Sequence, residues 1–303
     1  MKHEIYKGQH MRSVKMLLLI DTRFREVVIS LCMTVASIAL MTGTSIAQEL
    51  HIKARDGSGV FGYKDTPIQP WSGFHTHDPD RPAPPKITPG EPAAFAHSRS
   101  APSDAIILFN GSDLSPWEPS SWKIEDGTLI ATKGVLLTKR KFGDCQLHLE
   151  WQAPVGREEN IMNQGNNGIR FLDCIEVQVF DSYATKIYPD GQAASIYAQT
   201  PPLVNACREP GQWETYDIIF VAPQFDVSGT VVKPARLTMF HNGLLVHHNQ
   251  EIFGDSPHKG LASYKRIKSP AGQIGLMAHS CPVKFRNIWV RNLPILQPSN
   301  DKP

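Results

Sequence analysis

The sequence predicts an all-β sandwich of the jelly-roll type, preceded by a proline-rich N-terminal arm. From residue 105 onward, short runs rich in β-branched and aromatic residues alternate with Gly, Pro, Asn and Asp turn signals. Amphipathic helical periodicity is weak along the whole chain. The pair Asn242-Gly243, placed between two of these runs, is the strongest short-range signal for a β-hairpin.

The first segment, residues 1–47, is predicted to be a secretory signal peptide. An uncharged apolar run at residues 27–41 follows Arg23 and Arg25 and precedes small residues that end at Ala47. This order is typical of a signal peptide, whereas a membrane span needs roughly 20 apolar residues. We therefore expect export to the periplasm or the extracellular space, with no stable membrane span after cleavage. An uncleaved anchor is the alternative.

Removing this leader removes most of the basic character of the chain. Residues 1–47 hold six of the 31 Lys and Arg residues and three of the 29 Asp and Glu residues. The remainder therefore carries a net charge of −1. It contains no run of Lys or Arg, so nucleic acid is not an expected partner.

Four cysteines remain after the leader: Cys145, Cys174, Cys207 and Cys281. No two form a C-x-x-C motif, which excludes a zinc ribbon or a thioredoxin motif. In an exported protein one or two disulfides are an option, and the sequence does not choose among the three possible pairings. Buried free thiols are the alternative.

Residues 48–103 are predicted to form an extended arm. Their high proline content disfavours both a helix and a central strand. The arm also contains aromatic, imidazole and carboxylate side chains: Trp71, Phe74, His75, His77 and Asp78. Because aromatic rings gain free energy by burial, we expect this arm to lie across the main domain and not to act as a disordered spacer. The main domain is predicted over residues 104–293, with a C-terminal tail at 294–303.

The strand candidates each separate an apolar face from a polar face. A polar sheet face is ordinarily solvated, but here it mixes carboxylates, an imidazole and a guanidinium with few lysines. We therefore expect one concave ligand-binding face. Its predicted members, each opposed by apolar neighbours in its own strand, are His148, Glu150, Arg170, Glu176 and Gln178.

Two further local patterns predict backbone structure. The run "SIYA" at residues 195–198 is predicted to be a strand. In the last run, Val283 and Phe285 share one phase, while Ile288 and Val290 have the opposite phase. This slip predicts a β-bulge near Arg286–Asn287.

The series Glu176-x-Gln178-x-x-Asp181 is similar to the E-x-D-x-x-E strand of jelly-roll endoglucanases. Retaining hydrolysis needs two carboxyl groups about 5–5.5 Å apart. Here the middle acid is an amide, and Asp181 would face away from Glu176 in a regular strand. A two-carboxylate mechanism is therefore handicapped, with Glu150 as the candidate second acid. No local metal-binding spacing occurs, and a divalent metal held by distant strands stays an open alternative.

The order of nine motifs resembles that of the 3-keto-disaccharide hydrolase domain, a family long labelled a domain of unknown function. The motifs are "IILFNGSDLSPWE", "WKIEDGTL", "LHLEW", "NNGIRF", "EVQVFDSY", "IYAQTPPLVNAC", "WETYDIIF", "HNG" and "VKFRNIWV". The resemblance spans about residues 104–293 and implies a concanavalin A-like lectin/glucanase jelly roll. One departure lies at residues 274–280, where Met277 and Ala278 replace polar residues and His279 is kept.

This resemblance implies a hydrolase or lyase that acts on 3-keto-glycosides, including 3-keto-disaccharides. The C2 proton of such a sugar is α to a ketone, so a base removes it, the C1 oxygen leaves and water adds. The catalytic candidates are Glu176, His148 and Glu150. The substrate-binding candidates are Arg170, Gln178, Asp181, Tyr197, Asn167, Trp213 and His279. A non-catalytic, lectin-like carbohydrate-binding module and an ordinary two-carboxylate glycosidase are the alternatives.

Overall fold

The computed structural model describes residues 51–90, 101–156 and 160–293. The predicted signal peptide, the predicted C-terminal tail and part of the predicted arm lie outside these residues. Within the described ranges, no helix has the length and apolarity needed to cross a membrane.

The described residues form sixteen β-strands and three short 3₁₀ turns. The strands are β1 (Ile52–Lys53), β2 (Phe61–Gly62), β3 (Ile106–Phe109), β4 (Lys123–Glu125), β5 (Thr128–Ile130), β6 (Lys133–Phe142), β7 (Cys145–Gln152), β8 (Asn167–Phe171), β9 (Ile175–Val179), β10 (Trp213–Val221), β11 (Gln224–Phe225), β12 (Val231–Lys233), β13 (Arg236–His241), β14 (Leu244–Glu251), β15 (Gly272–His279) and β16 (Lys284–Asn292). The turns are Ile161–Asn163, Pro189–Gly191 and Tyr264–Arg266.

Two antiparallel sheets form the sandwich. The larger sheet has the order β14-β13-β10-β7-β16-β5-β4, with β3 also paired to β16, and the smaller sheet has the order β6-β15-β8-β9. Leu147 and Trp151 from the larger sheet and Ile169 and Val177 from the smaller sheet are at most 1% exposed. All four belong to one hydrophobic core between the sheets. The predicted all-β jelly-roll sandwich is therefore confirmed.

Local backbone conformation explains which predicted elements form. Asn242 and Gly243 both adopt positive φ, 51° and 79°, as the tight turn between β13 and β14 requires. The predicted bulge in β16 is also present, with Asn287 at a φ of 46° and a register shift between Arg286 and Trp289.

The predicted strand at residues 195–198 is wrong. Only Ile196 makes isolated bridges there, to Val177 and Thr200. Ala194 and Ala198 have φ values of 66° and 61°, so the backbone turns at both ends of this segment and an extended strand does not form. The segment belongs to a loop beside β9.

The described part of the arm, residues 51–90, packs on the sandwich. Trp71 stacks on Phe253 with ring centroids 4.3 Å apart. Arg81 Nη1 donates a hydrogen bond of 2.9 Å to the backbone oxygen of Gln199. A small second core joins arm to sandwich, and its members are Phe61, Tyr63, Phe180, Ile187 and Tyr188.

The cysteines in the sandwich contribute to packing. Cys145, Cys174 and Cys207 are buried thiols, so none of the three pairings that the sequence allowed is formed. Burial raises the pKa of Cys145 to about 12 and that of Cys174 to about 11. Both thiols therefore stay protonated and act as small apolar side chains.

Candidate active site

The polar residues singled out in the sequence lie on two opposite faces of the sandwich. His148 and Glu150 belong to β7 of the larger sheet, whereas Glu176 and Gln178 belong to β9 of the smaller one. Both sheets turn their apolar side chains toward one shared core. The expectation that these residues and Arg170 share a single face is therefore wrong. Alternation assigns a side chain to a face of its strand, but it does not say which sheet the strand joins.

Glu176 lies on the outer face of the smaller sheet and is only 4% exposed. Its Oε2 is 3.7 Å from Arg170 Nε, which is too far for a hydrogen bond. Burial raises the pKa of Glu176 to about 7, and the positive charge of Arg170 only partly opposes this rise. A carboxyl group with this pKa can exchange a proton at neutral pH.

Glycine on the neighbouring strands makes room for this carboxyl group. A Cβ atom added at Gly168 of β8 would lie 2.5 Å from Glu176 Oε1 and 2.8 Å from its Cδ. The Glu176 side chain therefore lies over the backbone of β8. Gly275 of β15, paired with Arg170, likewise carries no side chain on this face. The side chains of Leu137 and Val135 of β6 lie over Gly275, just as that of Glu176 lies over Gly168.

The loop over residues 189–200 forms one wall beside Glu176. The backbone N–H of Tyr197 donates to the backbone oxygen of Glu176 at 2.9 Å. The Tyr197 hydroxyl lies 2.7 Å from His258 Nδ1 and 3.4 Å from the Tyr188 hydroxyl. Burial raises the pKa of Tyr197, and the negative charge of Glu176 contributes to the shift. The phenol therefore stays protonated and can donate a hydrogen bond to a ligand or to His258.

Two more predicted residues accompany Glu176. Gln178 Nε2 donates to Asn166 Oδ1 at 3.0 Å, and its Oε1 is buried with no partner among the described residues. His279 lies at the exposed end of β15, where partial desolvation of its ring and the charge of Arg170 lower its pKa. Five of the ten predicted site residues thus belong to this face: Glu176, Arg170, Gln178, Tyr197 and His279.

The two substituted positions beside His279 differ in environment. Met277 lies on the outer face, paired with Gly168 and 8% exposed. Ala278 belongs to the hydrophobic core. Only Met277 can therefore contribute to a ligand-binding surface on this face.

Three predicted substrate-binding residues lie elsewhere. Asn167 is fully buried, and its Nδ2 donates to the backbone oxygen of Cys281 at 3.3 Å. Asp181 follows the end of β9 and lines a separate recess of about 210 Å³. Trp213 is on β10 of the larger sheet, with the guanidinium of Arg286 3.8 Å above its ring. Placing these three with Glu176 is therefore wrong. Asn167 points into the interior, Asp181 lies beyond the end of β9, and Trp213 lies on the opposite face of the sandwich.

On the outer face of the larger sheet, His148 and Glu150 belong to a closed network of hydrogen bonds. His148 Nδ1 is 2.7 Å from Asp217 Oδ1. Arg286 Nε donates to Glu150 at 2.6 Å, and Asn287 Nδ2 donates to it at 2.9 Å. We call these five residues the His148 cluster.

The His148 cluster stabilises the charges that it holds. Burial opposes ionisation of both groups, but the hydrogen bond that His148 donates to Asp217 and the nearby negative charge of Glu150 raise the pKa of His148 to about 9. Contacts with His148, Asn287 and Arg286 overcome burial and lower the pKa of Glu150 to about 2. At neutral pH neither group is poised to exchange a proton, so the geometry favours a structural role.

In the described part of the chain, one group of metal-ligand residue types lies within 4.8 Å: Cys207, Glu214 and His241. Glu214 already accepts hydrogen bonds from Arg208 N, His241 Nε2 and Asn242 Nδ2. Burial also raises the pKa of Cys207 well above its usual range, which keeps the thiol protonated. These residues fit an anchor for the β13–β14 hairpin better than a metal site.

Sequence reasoning missed several residues near Glu176. His77 of the arm contacts Asp190 Oδ1 through Nδ1 at 3.1 Å, and its ring packs 4.9 Å from that of Tyr197. His258 and Ser256 come from the segment after β14, and Ser256 Oγ accepts the backbone N–H of Glu176 at 3.0 Å. The one available signal was the aromatic and imidazole content of the arm, which predicted burial but not the partner.

Comparison with known proteins agrees with this architecture. Residues 104–291 match the 3-keto-alpha-glucoside-1,2-lyase-like domain. A candidate glycosyl hydrolase of Parabacteroides distasonis is 39% identical, with a TM-score of 0.61 over 70% of this chain and 93% of that chain. A second such protein of that organism is 18% identical, with a TM-score of 0.45 over 63% and 94% of the respective chains. The carbohydrate-binding module CBM66 of Bacillus subtilis is 14% identical, with a TM-score of 0.32 over 58% and 96%.

No curated protein matches the chain. The match to the domain covers well over half of the sequence and includes both sheets of the sandwich. The resemblance drawn from the order of the motifs is therefore confirmed. The chain belongs to the 3-keto-alpha-glucoside-1,2-lyase-like domain family of carbohydrate-active β-sandwich proteins.

Proposed function

We propose that this protein is an exported enzyme that cleaves 3-keto-glycosides, with Glu176 as the general base. The observation that carries the proposal is the environment of Glu176. Its carboxyl group is buried, its pKa is raised to about 7, and the cation beside it in the described part of the chain is Arg170, 3.7 Å away. Such a group has the proton affinity that abstraction from a carbon acid needs near neutral pH.

In the proposed reaction, Glu176 takes the proton from C2 of the oxidised sugar. The electrons of the C–H bond form the C2=C3 bond of an enolate, and the ketone oxygen becomes negative. Arg170 is the cation beside Glu176, and its charge would stabilise that oxygen. The enolate then collapses, the C1–O1 bond breaks and the electrons of that bond leave with O1.

The leaving oxygen needs a proton, and Tyr197 is the candidate donor. Its hydroxyl is protonated because its pKa is raised, and His258 Nδ1 lies 2.7 Å away. Once Glu176 has taken the C2 proton it is neutral, so a developing phenolate would no longer face a negative neighbour. Addition of water across C1=C2, with oxygen on C1 and hydrogen on C2, completes a net hydrolysis.

Export is part of the proposal. It is supported by the basic, apolar and small-residue order of residues 1–47. Edman sequencing or intact mass of the protein recovered from the periplasm or medium would show a new N-terminus near Gln48. A cell-associated chain that keeps residues 1–47 would contradict export.

The reaction is tested by incubating the protein with a 3-keto-glucoside and, separately, with the unoxidised parent glucoside. The proposal predicts release of the aglycone from the oxidised sugar alone. Release from the parent would indicate a two-carboxylate glycosidase. Saturable binding of either sugar without turnover would indicate a lectin-like module, and either result would contradict the proposal.

A further inference from the structure

We infer that the N-terminal arm completes the Glu176 site and that His77 is the positioning residue through which it acts. The family match begins at residue 104, so the arm lies outside the matched domain. The catalytic part of this inference rests on the proposed function. The structural part, that His77 fixes the loop carrying Tyr197, does not.

The loop over residues 189–200 needs an external support. It attaches to β9 through three backbone hydrogen bonds of 2.9 Å, from Gln178 to Ser195, from Ala194 to Gln178 and from Tyr197 to Glu176. Because the loop does not continue as a regular strand, this series of hydrogen bonds ends at the backbone of Tyr197. The position of the Tyr197 hydroxyl is thus not fixed by the sheet alone.

The arm holds this loop at Asp190. The backbone N–H of His77 donates to Asp190 Oδ2 at 3.0 Å, and the ring contacts Oδ1 at 3.1 Å. Gln69 Nε2 donates to Asp190 Oδ2 at 3.4 Å, and Arg81 Nη1 lies 3.9 Å from the same oxygen. Burial alone would raise the pKa of Asp190, but His77 and Arg81 lower it, so the carboxylate is charged inside the protein. In turn, the backbone oxygen of Asp190 accepts the N–H of Ala198, next to Tyr197, at 3.0 Å.

His77 also contacts the proposed acid directly. Its ring is fully buried. The centroid of this ring lies 4.0 Å from the ring centroid of Tyr188, 4.9 Å from that of Tyr197 and 5.3 Å from that of His258. It therefore packs against both members of the Tyr197–His258 hydrogen bond. Loss of the imidazole would leave a cavity behind the phenol.

The conformation of His77 indicates that this position is constrained for more than arm attachment. Its φ is 60°, in the left-handed region that non-glycine residues seldom adopt. Its Nε2 is buried with no hydrogen-bond partner among the described residues. Both features cost free energy, and such costs cluster at functional sites.

The test compares His77→Asn, His77→Ala and Trp71→Ala. Asparagine tolerates a left-handed backbone and places an amide N–H near the position of Nδ1, so it can keep the bond to Asp190. Alanine cannot. Trp71 attaches the arm away from Asp190, by stacking on Phe253 and by donating a hydrogen bond of 3.4 Å to the backbone oxygen of Gln199. Its removal leaves the contacts of His77 with Asp190 in place and controls for general loosening of the arm.

Two readouts are used. Hydrogen–deuterium exchange follows the amides of residues 189–200 without any substrate, and kcat and KM are measured on the 3-keto-glucoside below the Tm of every variant. We expect His77→Ala to accelerate exchange in this loop and to lower kcat by about 10- to 100-fold, with KM changed by less than about threefold. His77→Asn and Trp71→Ala should stay within about threefold of the wild-type kcat and keep the loop protected.

Wild-type exchange and kcat in His77→Ala would overturn the inference. Equal losses in His77→Asn and His77→Ala would overturn the link through Asp190, and an equal loss of kcat in Trp71→Ala would reduce His77 to an attachment point. If the wild-type protein cleaves no 3-keto sugar while His77→Ala frees the loop, the proposed function fails and the positioning role stands.

Discussion

Glu176 and Glu150 lie on opposite faces of the same sandwich and are almost equally buried, at 4% and 5% exposure. Their proton affinities differ widely, with a pKa of about 7 for Glu176 and about 2 for Glu150. Glu150 accepts hydrogen bonds from Arg286 and Asn287 at 2.6 and 2.9 Å. Among the described residues, the charged neighbour of the Glu176 carboxyl group is Arg170, with its Nε 3.7 Å from Oε2.

This difference shows that burial alone does not decide what a carboxyl group can do. Both groups lose solvation, Glu176 more than Glu150, and this loss favours the neutral acid. At Glu150, close charged donors more than offset that loss, and the group becomes a fixed anion in the His148 cluster. At Glu176 the loss is left largely uncompensated, and the group becomes a proton acceptor near neutral pH. The larger sheet thus holds a stabilising network around Glu150, and the smaller sheet holds a carboxyl group that can exchange a proton near neutral pH.

The largest expected difference is in activity. Glu176→Gln should lower kcat on a 3-keto-glucoside by about 10²- to 10⁴-fold, the usual contribution of a general base. Glu150→Gln changes the same residue type on the other face and should retain kcat within a few-fold. Steady-state kinetics of the two variants, at a temperature where both are folded, measures this. A larger loss for Glu150→Gln than for Glu176→Gln would reverse the assignment of the two faces.

The same two substitutions should change stability in opposite directions at pH 8. The pKa of Glu176 is raised on folding, so its contribution is fully present below pH 4.5 and is lost as pH rises through about 7. Glu176→Gln should therefore be more stable than wild type at pH 8, by on the order of 3 kcal/mol, and the gain should vanish near pH 4.5. Urea unfolding at both pH values measures the effect.

The pKa of Glu150 is lowered on folding, so its contribution is present above pH 4.5 and is lost as pH falls through about 2. Glu150→Gln should be less stable at pH 8, by on the order of 3 kcal/mol. If both variants lose stability at pH 8, Glu176 has stabilising partners that the proposed mechanism does not include.

The pH dependence of the reaction should report Glu176 and not the His148 cluster. The ionised form of Glu176 is the base, so kcat/KM should rise with pH through a midpoint near 7. Glu150→Gln should leave that midpoint in place. A rising limb with a midpoint near 4.5 would mean that the base has an ordinary carboxyl pKa, which the buried position of Glu176 does not allow.

A smaller effect is expected from crowding the Glu176 carboxyl. Gly168→Ala introduces a Cβ 2.5 Å from Glu176 Oε1, so the side chain must move. We expect kcat to fall by about tenfold or more because of misplacement of the base. Gly90→Ala meets no atom of the described residues within 4 Å and is the control. Unchanged kinetics in Gly168→Ala would show that the position of the carboxyl over β8 is not required.

Much of the fold is predictable from the sequence because it follows from local rules. The period of two in β7 and β9 sets the core face, Asn242-Gly243 sets a hairpin, and a phase slip near Asn287 locates the bulge. Residues 195–198 are apolar enough to suggest a strand, but two alanines in the left-handed region end it. No residue type in that segment predicts those turns.

The site is only partly predictable, because it depends on long-range pairing. Glu176, Gln178 and Arg170 come together through the pairing of neighbouring strands β8 and β9. His148 and Glu150 have the same pattern within their own strand, yet β7 joins the other sheet. His77 meets Asp190 across 113 positions of sequence, a contact that only the folded arm creates.

The most direct test of proton abstraction by Glu176 follows deuterium during cleavage. The wild-type protein and Glu176→Gln would each act on a 3-keto-glucoside in D₂O, with an enzyme-free control for spontaneous exchange, and the product would be analysed by NMR and mass spectrometry. Elimination and hydration predict deuterium at C2 of the released 3-keto sugar, formed rapidly by the wild type and only at the control rate by Glu176→Gln. A wild-type product cleaved with its original hydrogen at C2 would contradict proton abstraction and the role of Glu176 as the base.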